Sequence, residues 1–332
     1  SLQRDVEYAA LVPYYIGEIH LLRGEYKQAD EVATDYLRHF AGHKDEAEMM
    51  RVQGEARYGL KDYMGAVSSL EGYVNVVASP QRKAMYELGM SYYHTGAYLK
   101  ATEMLGRTTM VQDALAQNAN LHMGLAYLQL KERNQARMAF EQASIGDYDK
   151  AVKEQALYNY ALCIHETSYS PFAESVTVFE RFLNEFPASR YRERVNDYLV
   201  EVYMNTRSYD AALKSIAKIQ QPGPRIMEAK QKIYFRLGTQ EFANANFEMA
   251  KANFDRSLEI GRYNAATRAD AYYWRGEANY RLEDYRAAGK DLRKYLELAT
   301  NKQSLEYGLA LYNLGYTDFK QKNYSGALNW FN

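Results

Sequence analysis

Disulfides and thiolate metal clusters lack material in this sequence. Cys163 is its single cysteine, which excludes both an internal disulfide framework and a cysteine-bound metal site. Proline is scarce, six residues in 332, and runs of threonine, valine and isoleucine are few. Straight-chain residues and alanine lose little freedom in a helix while β-branched residues lose more, so a chain of this usage that is 47% apolar is expected to be all-α. A surplus of charge is missing as well: 41 basic against 42 acidic residues leave a formal charge of -1. With no net field to concentrate a polyanion, nucleic acid is a poor partner, and so is an anionic membrane surface. No stretch reaches the roughly 20 consecutive apolar residues of a membrane span. A signal peptide is also absent. The chain opens on Ser1-Leu2-Gln3-Arg4 and closes on Asn329-Trp330-Phe331-Asn332 inside a helical pattern. It is therefore expected to be a fragment of a longer protein, in which the missing signal says nothing about location.

What the sequence does contain is a repeat. A small residue recurs at Gly17, Gly54, Gly89, Gly124, Ala161, Val200, Gly238, Gly276 and Gly315, at spacings of 37, 35, 35, 37, 39, 38, 38 and 39. Twelve residues after each stands an alanine: Ala29, Ala66, Ala101, Ala136, Ala212, Ala250, Ala288 and Ala327, with Ser175 in the fifth repeat after a two-residue insertion. Between the two lies a turn and then, in most repeats, an aromatic: Tyr26, Tyr63, Tyr98, Tyr209, Phe247, Tyr285 and Tyr324, with Arg133 in repeat four. Four residues after the alanine comes an apolar knob, Leu70, Leu105, Phe140, Phe179, Ile216, Phe254, Leu292 or Phe331; repeat one has only Ala33. Spacing of four puts alanine and knob on one helix face.

A mid-helix glycine costs about 1 kcal/mol relative to alanine, so seven of them imply a packing demand. The expected cause is close approach of helices A and B in each pair, with the small residue of helix B completing the contact. Val200 departs from the rule, and repeat six is expected to pack more loosely. Pro80, Pro187, Pro222 and Pro224 follow second helices, where a chain without an amide proton marks a stop. Pro171 lies in the enlarged turn of repeat five, and Pro13 is expected in the first turn of the first helix A.

The small-x-x-Tyr core of helix A, the turns Gly24-Glu25-Tyr26 and Gly96-Ala97-Tyr98, and the following alanine and aromatic resemble the tetratricopeptide repeat, TPR. Leu88-Gly89-Met90-Ser91-Tyr92 and Gly124-Leu125-Ala126-Tyr127 are good local matches. The resemblance covers Val12 to Asn332 and implies a right-handed α-α superhelix, a TPR solenoid of about nine helix-turn-helix repeats. Residues 1–11 are expected to be the remnant of a preceding segment. A single array 12–332 follows, with repeats near 12–45, 46–82, 83–116, 117–152, 153–191, 192–228, 229–266, 267–306 and a truncated 307–332. These repeats are longer than the family's usual period of about 34, so longer links and a less regular superhelix are expected. One segment, Ser175 to Tyr191, resembles the phrase F-x-x-F-L-x-x-[FY]-P-x-S-x-Y of bacterial cell-envelope TPR proteins of the Tol-Pal coordinator and outer-membrane barrel-assembly lipoprotein type. This implies a periplasmic or outer-membrane-associated protein of a Gram-negative bacterium, with a cytoplasmic location as the alternative.

Catalysis needs convergent groups, and the sequence shows no such convergence. His20, His39, His43, His94, His122 and His165 are scattered, with no His-Glu-x-x-His and no phosphate-cradling glycine loop. His94, His122 and His165 fall on helix A of successive repeats, where ordinary packing is the plainer reading. Asp147-Tyr148-Asp149 begins like a calcium loop but has Val152 and Tyr158 where glycine and glutamate are needed. No cofactor, no metal and no enzymatic activity are therefore expected.

The resemblance also implies a concave groove lined by helix A at the positions three before, one after, four after and five after the small residue. Its candidate partner-binding residues are Tyr58, Tyr86, Tyr93, Tyr158, Phe235, Phe242, Tyr273, Tyr280, Tyr312, Tyr316 and Phe319. Tyrosine offers contact area at low entropic cost and keeps a hydroxyl, which suits interaction hot spots. The plainer reading of any one ring among the 32 tyrosines is packing between repeats. Repeats seven to nine carry the densest patch. The chaperone-type carboxylate clamp needs lysine and asparagine at inner positions; Arg51 followed by Glu55 does not supply it. The expected function is a non-enzymatic protein-protein interaction scaffold that binds a protein or peptide. The alternatives are a carbohydrate or peptidoglycan-associated module, which paired acids beside exposed rings would favour, and a regulatory region attached to a catalytic domain outside the fragment.

Overall fold

Three-residue turns divide the chain into helix pairs, and the turns have a common chemistry. The computed structural model describes residues 2–167, 174–206 and 208–331, with side chains from residue 11 onward. Among the described residues there are eighteen α-helices and no strand. In unit 1 (Ser1–Tyr169) they are α1 (Leu2–Leu22), α2 (Tyr26–His39), α3 (Glu46–Gly59), α4 (Tyr63–Val76), α5 (Arg82–His94), α6 (Tyr98–Gly106), α7 (Ala114–Gln129), α8 (Arg133–Ile145) and α9 (Lys150–Thr167). In unit 2 (Ser170–Asn332) they are α10 (Glu174–Glu185), α11 (Arg192–Asn205), α12 (Tyr209–Lys218), α13 (Pro224–Ala243), α14 (Phe247–Ile260), α15 (Ala265–Arg281), α16 (Tyr285–Leu298), α17 (Leu305–Lys320) and α18 (Tyr324–Phe331). Odd-numbered helices carry the small residue and even-numbered ones the alanine, as expected for helix A and helix B. The boundary between the units falls in repeat five, whose turn, with Pro171, lies outside the described residues. No helix is long and apolar enough among the described residues to cross a membrane.

The A-to-B turn ends helix A with a left-handed residue, a conformation that L side chains adopt at a cost. Gly24 and Gly96 fill it with φ of 71° and 81°, but Lys61, Lys131, Ala245, Glu283 and Lys322 sit there too, at φ of 60° to 64°. Two amides close each of these seven turns: Gly24 N donates to Leu21 O at 3.0 Å and Glu25 N to His20 O at 2.8 Å, and Lys61 and Asp62 repeat the pattern onto Tyr58 and Arg57 at 2.9 Å each. Carbonyls left over at the end of helix A are thereby satisfied. Because the turn is three residues long, the partner helix folds straight back and buries its alanine.

The register anticipated from spacing holds: Ala29, Ala66, Ala101, Ala136, Ser175, Ala212, Ala250 and Ala288 are fully buried, and Ala327 nearly so. The expected contact of the glycine needs correction, however. A Cβ on Gly54 would meet Leu70 Cγ at 2.4 Å, one on Gly89 would meet Leu105 at 2.7 Å, and one on Gly124 or Gly238 would meet Phe140 or Phe254 at 2.5 Å. The knob, not the alanine, lies on the glycine. Alanine lets the helices approach, and the larger residue one turn on fills the space that the missing side chain leaves. Repeat one has no knob, and there a Cβ on Gly17 would meet Val52 of the next repeat at 3.0 Å. Val200 is half-buried, and a cleft of about 250 Å³ lined by Val200, Met204, Ala229 and neighbouring charged side chains opens beside it. Pro13 stands inside α1, not in its first turn, because the helix starts at Leu2. Pro224 opens α13, where a missing amide proton costs nothing.

Candidate functional site

Between α13, α15 and the connection that follows α16, side-chain size falls and a cleft forms. Ala265, Ala266 and Ala269 on the first turns of α15 face Phe235 and Thr239 of α13, while residues 299–304 carry the chain past them into α17. The result is a cleft of about 730 Å³, within the range of sites that enclose a ligand. Its aromatic walls are Phe235, Tyr273, Trp274 and Tyr295. Tyr273 packs at 5.2 Å from Tyr295 and 5.4 Å from Trp274, the latter nearly edge-on at 83°. Thr300, Asn301 and Ser304 add hydrogen-bonding groups at the rim.

Charge in the cleft is of one sign. Asp270 and Glu306 line it, no lysine, arginine or histidine does, and both carboxylates reach solvent. Lost hydration and then the charge of Glu306 hold the Asp270 carboxyl above its ordinary value. Burial, followed by the fields of Glu277 and Glu306, raises the Tyr273 hydroxyl. Tyr295 is raised first by burial as well, against a hydrogen bond from Ser304.

Two of the rings expected from sequence, Phe235 and Tyr273, line this cleft, although Tyr273 is buried. Phe242 backs it, 5.1 Å from Trp274. The other rings have different surroundings. Tyr58, Tyr93, Phe242, Tyr280 and Phe319, all four residues after the glycine, lie edge-on against the first aromatic of the following helix, Tyr63, Tyr98, Phe247, Tyr285 and Tyr324. The centroid distances run from 5.2 to 6.0 Å. These ring pairs clasp the A-to-B turn. Tyr86 is half-buried and donates to Asn118 Oδ1 at 2.9 Å, and Tyr158 is buried. Tyr312 and Tyr316 are exposed, with their hydroxyls 3.2 Å apart and both rings against Phe331. Spacing from the glycine missed Asp270, Trp274, Tyr295 and Glu306, since the rule admits one set of helix-A positions and the cleft also draws on a connection and on two other helices.

Unit 1 shows the same helix-A face with its charges already paired. Arg51, buried on α3, pairs with Glu18 and donates to Glu48 at 2.8 Å and Glu55 at 2.9 Å. Lys83 Nζ lies 2.6 Å from Glu55 and 3.6 Å from Glu87. Burial and then the neighbouring Glu55 charge push the Glu87 carboxyl up to about 8, and its Oε2 is buried without a hydrogen-bond partner. Arg51 has no free face for a peptide carboxylate.

The remaining candidates have structural explanations. His94 stacks on Tyr63 at 4.2 Å, His122 bonds the Asn118 carbonyl at 3.0 Å, and no group of three metal-ligating side chains occurs among the described residues. Asp149 accepts from the amides of Ala151 and Val152 at 2.8 and 3.2 Å, so it caps α9, and Asp147 receives Lys153 at 2.6 Å. Burial raises the Cys163 thiol to about 11, far from a reactive thiolate.

No protein-family model matches the sequence, and no curated protein matches it either. Among solved structures, the chain is similar to a tetratricopeptide repeat protein from Parabacteroides merdae ATCC 43184, with a TM-score of 0.43 and 15% identity over 78% of this chain and 96% of that one. It is similar to the MamA protein at a TM-score of 0.43 and 18% identity, covering 55% of this chain and 94% of that one. It is similar to the apo form of RapI at 0.42 and 11% identity, covering 77% and 98%. These TM-scores all lie below 0.5, so the case for a TPR-like array rests on the internal repeat: glycine, left-handed turn, buried alanine and knob.

Proposed function

We propose that this chain is a non-enzymatic helical-repeat scaffold of the tetratricopeptide type that holds a segment of a partner protein. The observation that carries the reading is the aromatic cleft of unit 2, which opens on the helix-A face at Phe235, Thr239 and Tyr273. The experiment is selection of binders from a displayed heptapeptide library on the intact chain, repeated with Ala266→Trp, which fills the cleft from an exposed position. Peptides retained by the native chain and lost by the filled variant, at equal thermal stability, support the reading. Equal retention by both removes the cleft from it.

A second reading is favoured by one observation: Asp270 and Glu306 stand beside Tyr273 and Trp274, the pairing of acids and rings that a carbohydrate module uses. Against it, Tyr273 is buried and Trp274 half-buried, whereas sugar stacking needs an open ring face. Location in the envelope of a Gram-negative bacterium is part of the proposal and is supported by the phrase from Phe179 to Tyr191. Its residues also have packing roles: Phe179 and Phe182 are buried, and Ser189 bonds Phe186 and Tyr191 to close the link into α11. Fractionation of cells that express the full-length gene product tests it. Recovery with the cytosol alone would reject an envelope role.

A further inference from the structure

We propose that the unit 2 cleft selects a cationic side chain, the ammonium of lysine or the guanidinium of arginine on an extended partner segment, with Asp270 and Glu306 as its counter-ions. The inference rests on the peptide-binding reading above and names the chemistry that the cleft would choose.

Four features point the same way. Neither carboxylate has a hydrogen bond or ion pair among the described residues, whereas Glu55 on the helix-A face of unit 1 is held by both Arg51 and Lys83. Both acids line a volume of about 730 Å³ that admits several residues, with no basic side chain in its walls. The walls carry apolar surface from Phe235, Tyr273 and Trp274, along which the hydrocarbon stem of lysine or arginine can lie and to which a short anion has nothing to offer. The two acids also repel each other, since Glu306 raises the Asp270 carboxyl. A bound cation relieves that repulsion; a sugar hydroxyl accepts or donates hydrogen bonds but neutralises nothing. A carboxyl terminus, the ligand of the chaperone-type clamp, would add a third negative charge and is selected against. An arginine or lysine stem has the further advantage of laying its methylenes along Phe235 and the alanine floor while its head meets the acids.

The test uses the intact chain and N-acetylated, C-amidated heptapeptides of one background sequence, taken from the library selection, with lysine, arginine, N-acetyl-lysine or glutamate at the central position. Binding is read by fluorescence polarisation. Trp330→Phe leaves Trp274 as the sole tryptophan, so its emission reports whether the cleft itself is occupied. Lysine and arginine peptides should bind at least tenfold more tightly than the acetyl-lysine peptide, should perturb Trp274 and should weaken with added salt. In Asp270→Asn/Glu306→Gln the preference for lysine over acetyl-lysine should fall to about onefold, while the melting temperature holds or rises because a repulsion has been removed. If peptides bind in the cleft with no charge preference, the cation assignment fails and the peptide-binding reading stands. If no peptide perturbs Trp274, both fail. If a neutral chitooligosaccharide perturbs Trp274 and competes with the lysine peptide in the double variant as well as in the native chain, the cation assignment also fails and the carbohydrate reading replaces it.

Discussion

The helix-A faces of repeats two and three and of repeats seven to nine are built on one template and have opposite electrostatics. In the first, Arg51 gathers Glu18, Glu48 and Glu55, and Lys83 extends the chain of pairs to Glu87. In the second, Asp270 and Glu306 face an open cleft without a cation. The repeat fixes helix spacing through the glycine, alanine and knob, and leaves the exposed face free to vary. A face whose charges are satisfied internally is structural; the face whose acids have no internal partner is the one proposed to bind.

The sharpest way to break this comparison is to remove the cation from the first face. Arg51→Met should destabilise the protein by about 3 kcal/mol, since buried Glu55 is left with Lys83 alone and half-buried Glu18 and Glu48 lose their shared cation. Asp270→Asn should be neutral or stabilising, as it removes an acid that has no partner to lose. Chemical denaturation of both variants checks the pair. Equal losses would mean that the two faces do not differ in the way described.

Next in size is the glycine. Gly54→Ala should cost about 1 to 3 kcal/mol, because the new Cβ meets Leu70 Cγ at 2.4 Å and the Leu70 backbone nitrogen at 3.2 Å. At Gly276 the nearest atom is Leu292 Cγ at 3.0 Å, so Gly276→Ala should lose less and recover part of that through helix propensity. Leu70→Ala combined with Gly54→Ala should cost less than the sum of the single changes. Thermal melts of the three variants and the double would show whether the knob is the partner of the glycine.

The intervals of glycine, alanine and knob were legible in the sequence because packing demands them in every repeat, and an error at one position shows against the other eight. Which residue lies on the glycine was not legible. Alanine and knob stand four apart on one face, and only the reach of the side chain decides between them. Ring positions were legible in the same partial way. Spacing put Tyr58, Tyr93, Phe242, Tyr280 and Phe319 on one face, but it does not separate a ring turned to a partner from one clasping the first residue of the next helix. The cleft itself was legible only at Phe235, Thr239 and Tyr273. Asp270 and Glu306 meet because of the path taken by residues 299–304, and an irregular connection has no period to read.

An effect of similar size tests the paired face through pH. Glu87 ionises near 8 in the folded chain, whereas an unfolded glutamate ionises near about 4.3. Folding therefore takes up a proton between those values, and this residue's contribution to stability falls as pH rises from the lower value to about 8. Glu87→Gln removes the dependence. The variant should gain on the native chain as pH rises, by about 1 to 3 kcal/mol at pH 9, with Lys83 still held by Glu55. Denaturation series at pH 5, 7 and 9 give the difference directly, and a gap that stays constant with pH would contradict the burial of this acid.

The smallest effect belongs to the turn, and it should not distinguish the two regions at all. Lys61 and Glu283 both hold left-handed backbone, at φ of 63° and 64°, one in each unit. Glycine removes the clash of Cβ with the following carbonyl but widens the unfolded ensemble, so Lys61→Gly and Glu283→Gly should each stabilise by up to about 1 kcal/mol. Gly24→Ala, at φ 71° with no atom within 4 Å of its added Cβ, should lose about as much, from strain alone. Equal responses in the two units, read from denaturation midpoints, would show that the turn is part of the common template. If Lys61→Gly and Glu283→Gly differed by more than their measurement error, the template itself would differ between the faces, and the contrast in charge would no longer be the variable that sets them apart.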